Sequence, residues 1–109
     1  MSGAVKMESD FAIISLEGNF DLHSSGEARR LILGCLQNSK PTLVDLNGVA
    51  YIDSSGVASL VEGFQIARER KLDFGLISDN NSVLDVLRLA RLDRVFAIYP
   101  SVQARRGAK

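Results

Sequence analysis

The stretch Leu43-Val44-Asp45-Leu46-Asn47-Gly48-Val49-Ala50-Tyr51-Ile52-Asp53-Ser54-Ser55-Gly56-Val57 decides how this chain folds. It begins inside an apolar run, Thr42 to Leu46, that follows Pro41 and stops at Asn47-Gly48. Short apolar runs between turn residues read as buried strands, and Asn47-Gly48 reads as a turn. Val49 to Ile52 then leads into Asp53-Ser54-Ser55-Gly56. From Gly56 onward the apolar residues Val57, Leu60, Val61, Phe64 and Ala67 recur at helical spacing. A strand feeding the N-terminus of an amphipathic helix is the repeating unit of an α/β sheet. A helix start leaves N–H groups unpaired and partly positive. Asp53 or Ser54 therefore has an ordinary role as a cap, with Gly56 easing a tight turn, and capping alone accounts for the block.

The same punctuation extends outward. Upstream, Phe11 to Leu16 is nearly continuous apolar sequence that ends at Gly18, a second buried strand, and Ala4 to Glu8 alternates as a short edge strand with Ser9-Asp10 as its turn. Ser24 and Glu27 have the spacing of a capping box. The stripe Ala28, Leu31, Ile32, Cys35 and Leu36 after them predicts a helix that ends near Asn38, ahead of Pro41. Downstream, Arg68-Glu69-Arg70-Lys71 closes the middle helix and Leu72 to Ser78 forms a strand. Asp79-Asn80-Asn81-Ser82 caps a helix carrying Val83, Val86, Leu87 and Ala90, and Val95 to Tyr99 is a last short strand before Pro100. The order β-β-α-β-α-β-α-β predicts an α/β domain. Its core is one mostly parallel, mixed sheet with helices packed against it. Residues 1–101 are expected to form this domain and residues 102–109 a flexible polar tail.

Composition narrows the function. The chain has 109 residues, enough for one domain, and 46% of them are hydrophobic, enough for a core without disulfides or metal. The net charge is zero but uneven: four basic against eight acidic residues up to Ala67, nine against five from Arg68. That division reads as a mixed, solvated surface. Cys35 and His23 are the only cysteine and histidine, so neither metal-ligand spacing nor a Cys–His pair exists, and no cofactor is expected. Gly-x-Ser-x-Gly and Gly-rich phosphate loops are absent. Asp21, Asp45 and Asp53 lie near strand ends and leave acid–base work by two carboxylates open, but Asp is common in loops and this is the lesser reading. The expectation is a binding protein, not an enzyme. Arg88, Arg91 and Arg94 recur every three residues and read as a charged face near a helix C-terminus rather than a nucleic-acid surface. No apolar run resembles a signal peptide or spans a membrane, so the expected compartment is the cytoplasm. Cys35, Phe64 and Phe74 read as core and His23 as surface. Phe20, beside Asp21, is expected at an exposed loop where it could anchor a partner.

Three segments together carry a resemblance. The segment Leu43 to Val57 resembles the signature of the sulfate transporter and anti-sigma factor antagonist (STAS) domain. Leu16-Glu17-Gly18-Asn19-Phe20-Asp21 is similar to that family's Leu-x-Gly-x-x-Asp. Leu89-Ala90-Arg91-Leu92-Asp93-Arg94-Val95-Phe96 is similar to its late Leu-x-x-Leu-x-x-x-Phe. The likeness covers nearly the whole chain and is nearest to the free-standing anti-sigma factor antagonists. It implies a phosphorylation-controlled switch that binds an anti-sigma factor serine kinase and so frees a sigma factor. In this reading Ser55 is the phospho-acceptor, Asp21, Asp53, Ser54 and Gly56 belong to the partner surface, and a phosphatase resets Ser55. His23 just past Asp21 departs from the family pattern and bears on partner choice. The alternative within the family is a STAS subunit of a lipid-transporting ABC system that binds permease or ATPase subunits. Those subunits often carry Thr at the Ser55 position. No direct nucleic-acid contact or membrane insertion is implied, and the oligomeric state is a monomer or weak dimer. Residues 41–67 contain no Lys or Arg, so a phosphate on Ser55 has no local cation to clamp it. The switch is therefore expected to act through charge and bulk, with little refolding.

Overall fold

A computed structural model describes residues 2–8 and 10–107. Five strands form one sheet in the spatial order β1-β2-β3-β4-β5, with β1 (Ser2–Met7), β2 (Ala12–Phe20), β3 (Thr42–Ile52), β4 (Phe74–Ile77) and β5 (Ala97–Tyr99). β1 pairs antiparallel with β2, and the other neighbours are parallel. The helices α1 (Ser25–Gln37), α2 (Ser54–Glu69) and α3 (Asn81–Leu89) join the parallel strands, as the sequence order requires.

Alternation along the strands divides the apolar residues between two faces. Ala12, Ile14 and Leu16 of β2, Val44 and Leu46 of β3 and Leu76 of β4 meet Ala28, Ile32, Leu36, Leu60, Val83 and Leu87 of the helices in the main core. Phe11, Ile13, Leu43 and Ile77 form a smaller cluster apart from it, packed by Tyr99 and Val102. Cys35 is buried in the main core, where desolvation raises its thiol pKa and keeps it protonated. Phe64 packs at the core edge, with its ring edge-on to Phe96 at 5.6 Å.

Several boundaries differ from expectation, two of them with consequences for the site and the tail. Asn47-Gly48 is no turn: β3 runs unbroken from Thr42 to Ile52, with register shifts against β2 between Ser15 and Glu17 and between Gly18 and Asn19. β3 places extra residues opposite β2 at these bulges. Asn47 projects from the first and binds the neighbouring loop, its Oδ1 accepting the Asp79 N–H at 2.8 Å. Gly48 relieves crowding there, because a Cβ would lie 2.8 Å from Glu17 Cγ and 3.0 Å from the Leu16 carbonyl oxygen. β2 likewise passes Gly18, at φ 93, and continues to Phe20. The second difference is the tail: Val102–Arg106 forms a short helix, α4, capped by the Ser101 hydroxyl, which accepts the Ala104 N–H at 3.1 Å. A 3₁₀ turn, Leu92–Arg94, precedes β5. In the expected turn before β2, Ser9 lies outside the described residues.

Candidate functional site

The site is built at the C-terminal ends of two neighbouring parallel strands, where open α/β sheets place their ligands. Phe20 of β2 lies opposite Ile52 of β3, and the Asp53 N–H donates to the Phe20 carbonyl at 3.2 Å. The next residues, Asp21 and Asp53, therefore leave the sheet side by side. Asp53 is the N-cap of α2, and its Oδ1 accepts the N–H groups of Ser55 at 2.8 Å and Gly56 at 3.1 Å. Removing that cap by Asp53→Ala should cost about 1 kcal/mol of folding free energy in urea titration, whereas Asp53→Asn should cost a few tenths at most.

Asp21 organises the turn opposite. Its Oδ1 accepts the His23 N–H at 3.0 Å, and its N–H donates to Ser24 Oγ at 2.9 Å. Ser24 Oγ has one proton, and the shortest contact, 2.7 Å, is to the Asn19 carbonyl. The expected capping box is therefore not formed. Ser24 occupies the N-cap position of α1 but makes no side-chain cap bond, because its hydroxyl ties the β2 end to the Asp21 turn. Glu27 lies instead within 3.9 Å of Arg30.

Ser54 is exposed and Ser55 half-buried on the first turn of α2. The Ser55 main chain is fixed at both ends: its N–H by Asp53, its carbonyl by Ser59 Oγ at 3.2 Å. Its own hydroxyl makes no hydrogen bond among the described residues. Gly56 is buried, and a Cβ there would lie 2.6 Å from the Phe20 carbonyl oxygen and 2.9 Å from Ile52 Cγ1. The glycine lets α2 start against the end of β2, which fixes where Ser55 stands.

No basic side chain bonds Asp53 or Ser55 among the described residues. Arg29 of α1 is held by Glu62: Nε to Oε1 at 2.5 Å and Nη2 to Oε2 at 2.8 Å. That fork holds the Glu62 carboxyl below its usual range and the guanidinium above its own. Beside this pair an apolar groove of about 520 Å³ runs between α2 and α3, lined by Val57, Val61, Val86 and Leu89 and reaching Asp53 and Ser54 at one end. Leu89 is 88% exposed.

The STAS domain family model matches residues 4–104. This chain belongs to the STAS domain family. An anti-sigma factor antagonist from Mycobacterium paratuberculosis has the same fold, with a TM-score of 0.87 at 21% identity over 98% of this chain and 92% of that one. A Planctomyces limnophilus anti-sigma-factor antagonist (STAS) domain protein aligns at TM-score 0.83 and 25% identity over 93% and 92%. The phosphorylated form of the Bacillus cell fate determinant SpoIIAA aligns at TM-score 0.75 and 16% identity over 99% and 100%.

The STAS fold brings together all five residues singled out in the sequence, Asp21, Asp53, Ser54, Ser55 and Gly56, but in different capacities. Asp21 and Asp53 are half-buried and Ser54 is exposed, whereas Gly56 is buried beneath them. Phe20 is corrected: it is fully buried rather than exposed in a loop. Its place at the strand end points the ring to the helix side, and the exposed apolar residue of that loop is Leu22, at 72%. Leu89 was missed as a surface residue, although it falls off the Val83, Val86, Leu87 stripe, and that was the available signal. Arg88, Arg91 and Arg94 are all exposed, and Arg88 pairs with Asp85 at 3.3 Å.

Proposed function

We propose that this STAS domain is an anti-sigma factor antagonist. It binds an anti-sigma factor serine kinase while Ser55 is bare and releases it once Ser55 carries phosphate. The observation that supports this most is the state of Ser55: a hydroxyl with no hydrogen bond among the described residues, on a main chain pinned at both ends, beside two half-buried carboxylates and, among the same residues, no bonded base. The kinase supplies the catalytic machinery; this chain supplies a rigid, accessible acceptor.

Phosphate would add about −1.5 to −2 charges. The α2 N-terminus offsets an anion by about 0.3–1 kcal/mol. At roughly 6 Å and an effective dielectric near 20, repulsion from Asp53 is on the order of 4–5 kcal/mol before salt screening reduces it. Arg29 is committed to Glu62, and no other base among the described residues bonds this turn to reward an internal rearrangement. The added charge instead meets whatever docks on the Asp21–Asp53 surface.

The groove continues that surface. In this reading an apolar side chain of the kinase packs against Leu89 and Val61. Leu89→Ala should weaken the complex about tenfold by isothermal titration while changing stability by less than roughly 0.5 kcal/mol, because an exposed side chain contributes little to folding.

The direct test is a pull-down from native cells, then incubation of the chain with the recovered kinase and ATP and mapping of phosphate by mass spectrometry. Phosphate on Ser55 supports the proposal. Phosphate only on Ser54, or recovery of a membrane permease with its ATPase, overturns it and favours a transporter subunit.

A further inference from the structure

The helix α4 is held to the rest of the domain by side chains. Its main-chain hydrogen bonds are internal: Arg105 N–H to the Ser101 carbonyl and Gly107 N–H to the Gln103 carbonyl. Among the described residues none joins it to the sheet. Its contacts are made by side chains. Val102 packs on the small cluster of Phe11, Ile13, Leu43 and Ile77. The Arg105 guanidinium lies 5.7 Å from the Phe11 ring centroid and 5.9 Å from that of Tyr99, and 3.6 Å from an Asp73 carboxylate oxygen. Arg106 pairs with Glu8 and lies 6.0 Å from the same Phe11 centroid. Two arginines thus clamp α4 to the chain before β2 and to the chain before β4.

The layer beneath is a cluster separate from the main core. Phe11, Ile13, Leu43 and Ile77 are each at most 6% exposed. A cleft of about 400 Å³ opens beside it, its lining including Leu43, Phe74, Gly75, Tyr99, Asp73 and Arg105. The clamped residues precede β2 and β4, so this cleft lies at the opposite ends of the parallel strands from Asp21 and Asp53.

We propose that α4 is a strap that opens and closes over the second face of the sheet without unfolding the main core. Closed, it buries the Phe11 cluster; open, it turns that cluster into an apolar surface remote from Ser55. Its clamp is ionic and cation–π, so added salt loosens it while the core is far less affected.

Native-state hydrogen exchange on the full chain tests this. The Ala104 and Gly107 amides should exchange at least about 100-fold faster than those of Val44 and Leu76, the mark of sub-global opening. Arg105→Ala combined with Arg106→Ala should raise α4 exchange about tenfold more and leave Val44 unchanged. For the wild type, raising NaCl from about 0.05 to about 0.5 M should move α4 in the same direction, a readout that stands even if the variant folds poorly. Exchange of α4 at core rates, no response to charge removal, or an equal rise in α4 and β3 would each overturn the strap.

Discussion

Ser55→Asp should weaken the kinase complex about 100-fold, close to 3 kcal/mol, and leave the melting temperature within about 5 °C of wild type. The first half follows from docking. A charge buried at an interface without a counter-charge costs about 2–5 kcal/mol, and this surface already carries Asp21 and Asp53. The second half follows from near-cancellation within the domain. The α2 N-terminus favours an added carboxylate by about 0.3–1 kcal/mol, and Asp53, already bound to two N–H groups of that turn, opposes it by about 1 kcal/mol once salt has screened the roughly 3 kcal/mol that a single charge would feel. Ser55→Ala should bind like wild type and take no phosphate at this position. Calorimetric titration with the kinase and thermal melts of both variants decide the matter. Undiminished binding of the Asp variant, or amide shifts spread across the whole sheet, would sink the repulsion mechanism.

Gly56→Ala should be the more damaging change to the fold itself, lowering stability by about 2–3 kcal/mol and the melting temperature by roughly 10–20 °C. The new methyl would sit 2.6 Å from the Phe20 carbonyl oxygen, 2.9 Å from Ile52 Cγ1 and 3.0 Å from Phe20 Cγ. None of these can yield cheaply: the carbonyl accepts the Asp53 N–H, and both side chains are buried. The matched control is Gly34→Ala in α1, where a Cβ meets nothing within 4 Å. The same substitution there should stabilise by up to about 1 kcal/mol, since alanine is the better helix former. If both glycines respond alike, the close approach at Gly56 is not what positions α2.

These two positions also show what was legible in the chain. Val57, Leu60, Phe64 and Ala67 announce α2 through a repeat that local geometry imposes, and the strand order with its parallel pairing follows from alternation of strand and helix. Gly56 was visible as a glycine at a turn, but not as the place where one strand's carbonyl meets another element's backbone; that needs the Phe20–Ile52 register. Other misreadings share this cause. Asn47-Gly48 has ideal turn chemistry, yet a neighbouring loop takes the Asn47 amide and keeps the strand extended. Ser24 and Glu27 have the capping-box spacing, yet the Ser24 oxygen is turned away from α1 to accept the Asp21 N–H while its proton goes to the Asn19 carbonyl. Phe20 sits between polar residues that suggested a loop, whereas the glycine at position 18 carries β2 past itself and turns the ring inward. For α4, its docking contacts come from residues such as Phe11 and Asp73, far away in sequence.

The bulges in β3 have a consequence for how this gene can vary. β2 needs nine residues and β3 eleven to finish level with each other. The surplus, spent around Asn47 and Ala50, brings Asp53 alongside Asp21. Those positions look like a spacer that insertions and deletions could enter freely. They act instead as a ruler: losing a single codon there would draw Asp53, Ser54 and Ser55 back by one strand position and reverse the inward and outward alternation of every residue up to Ile52. Length between positions 46 and 50 should therefore be more constrained than the identity of most residues within it.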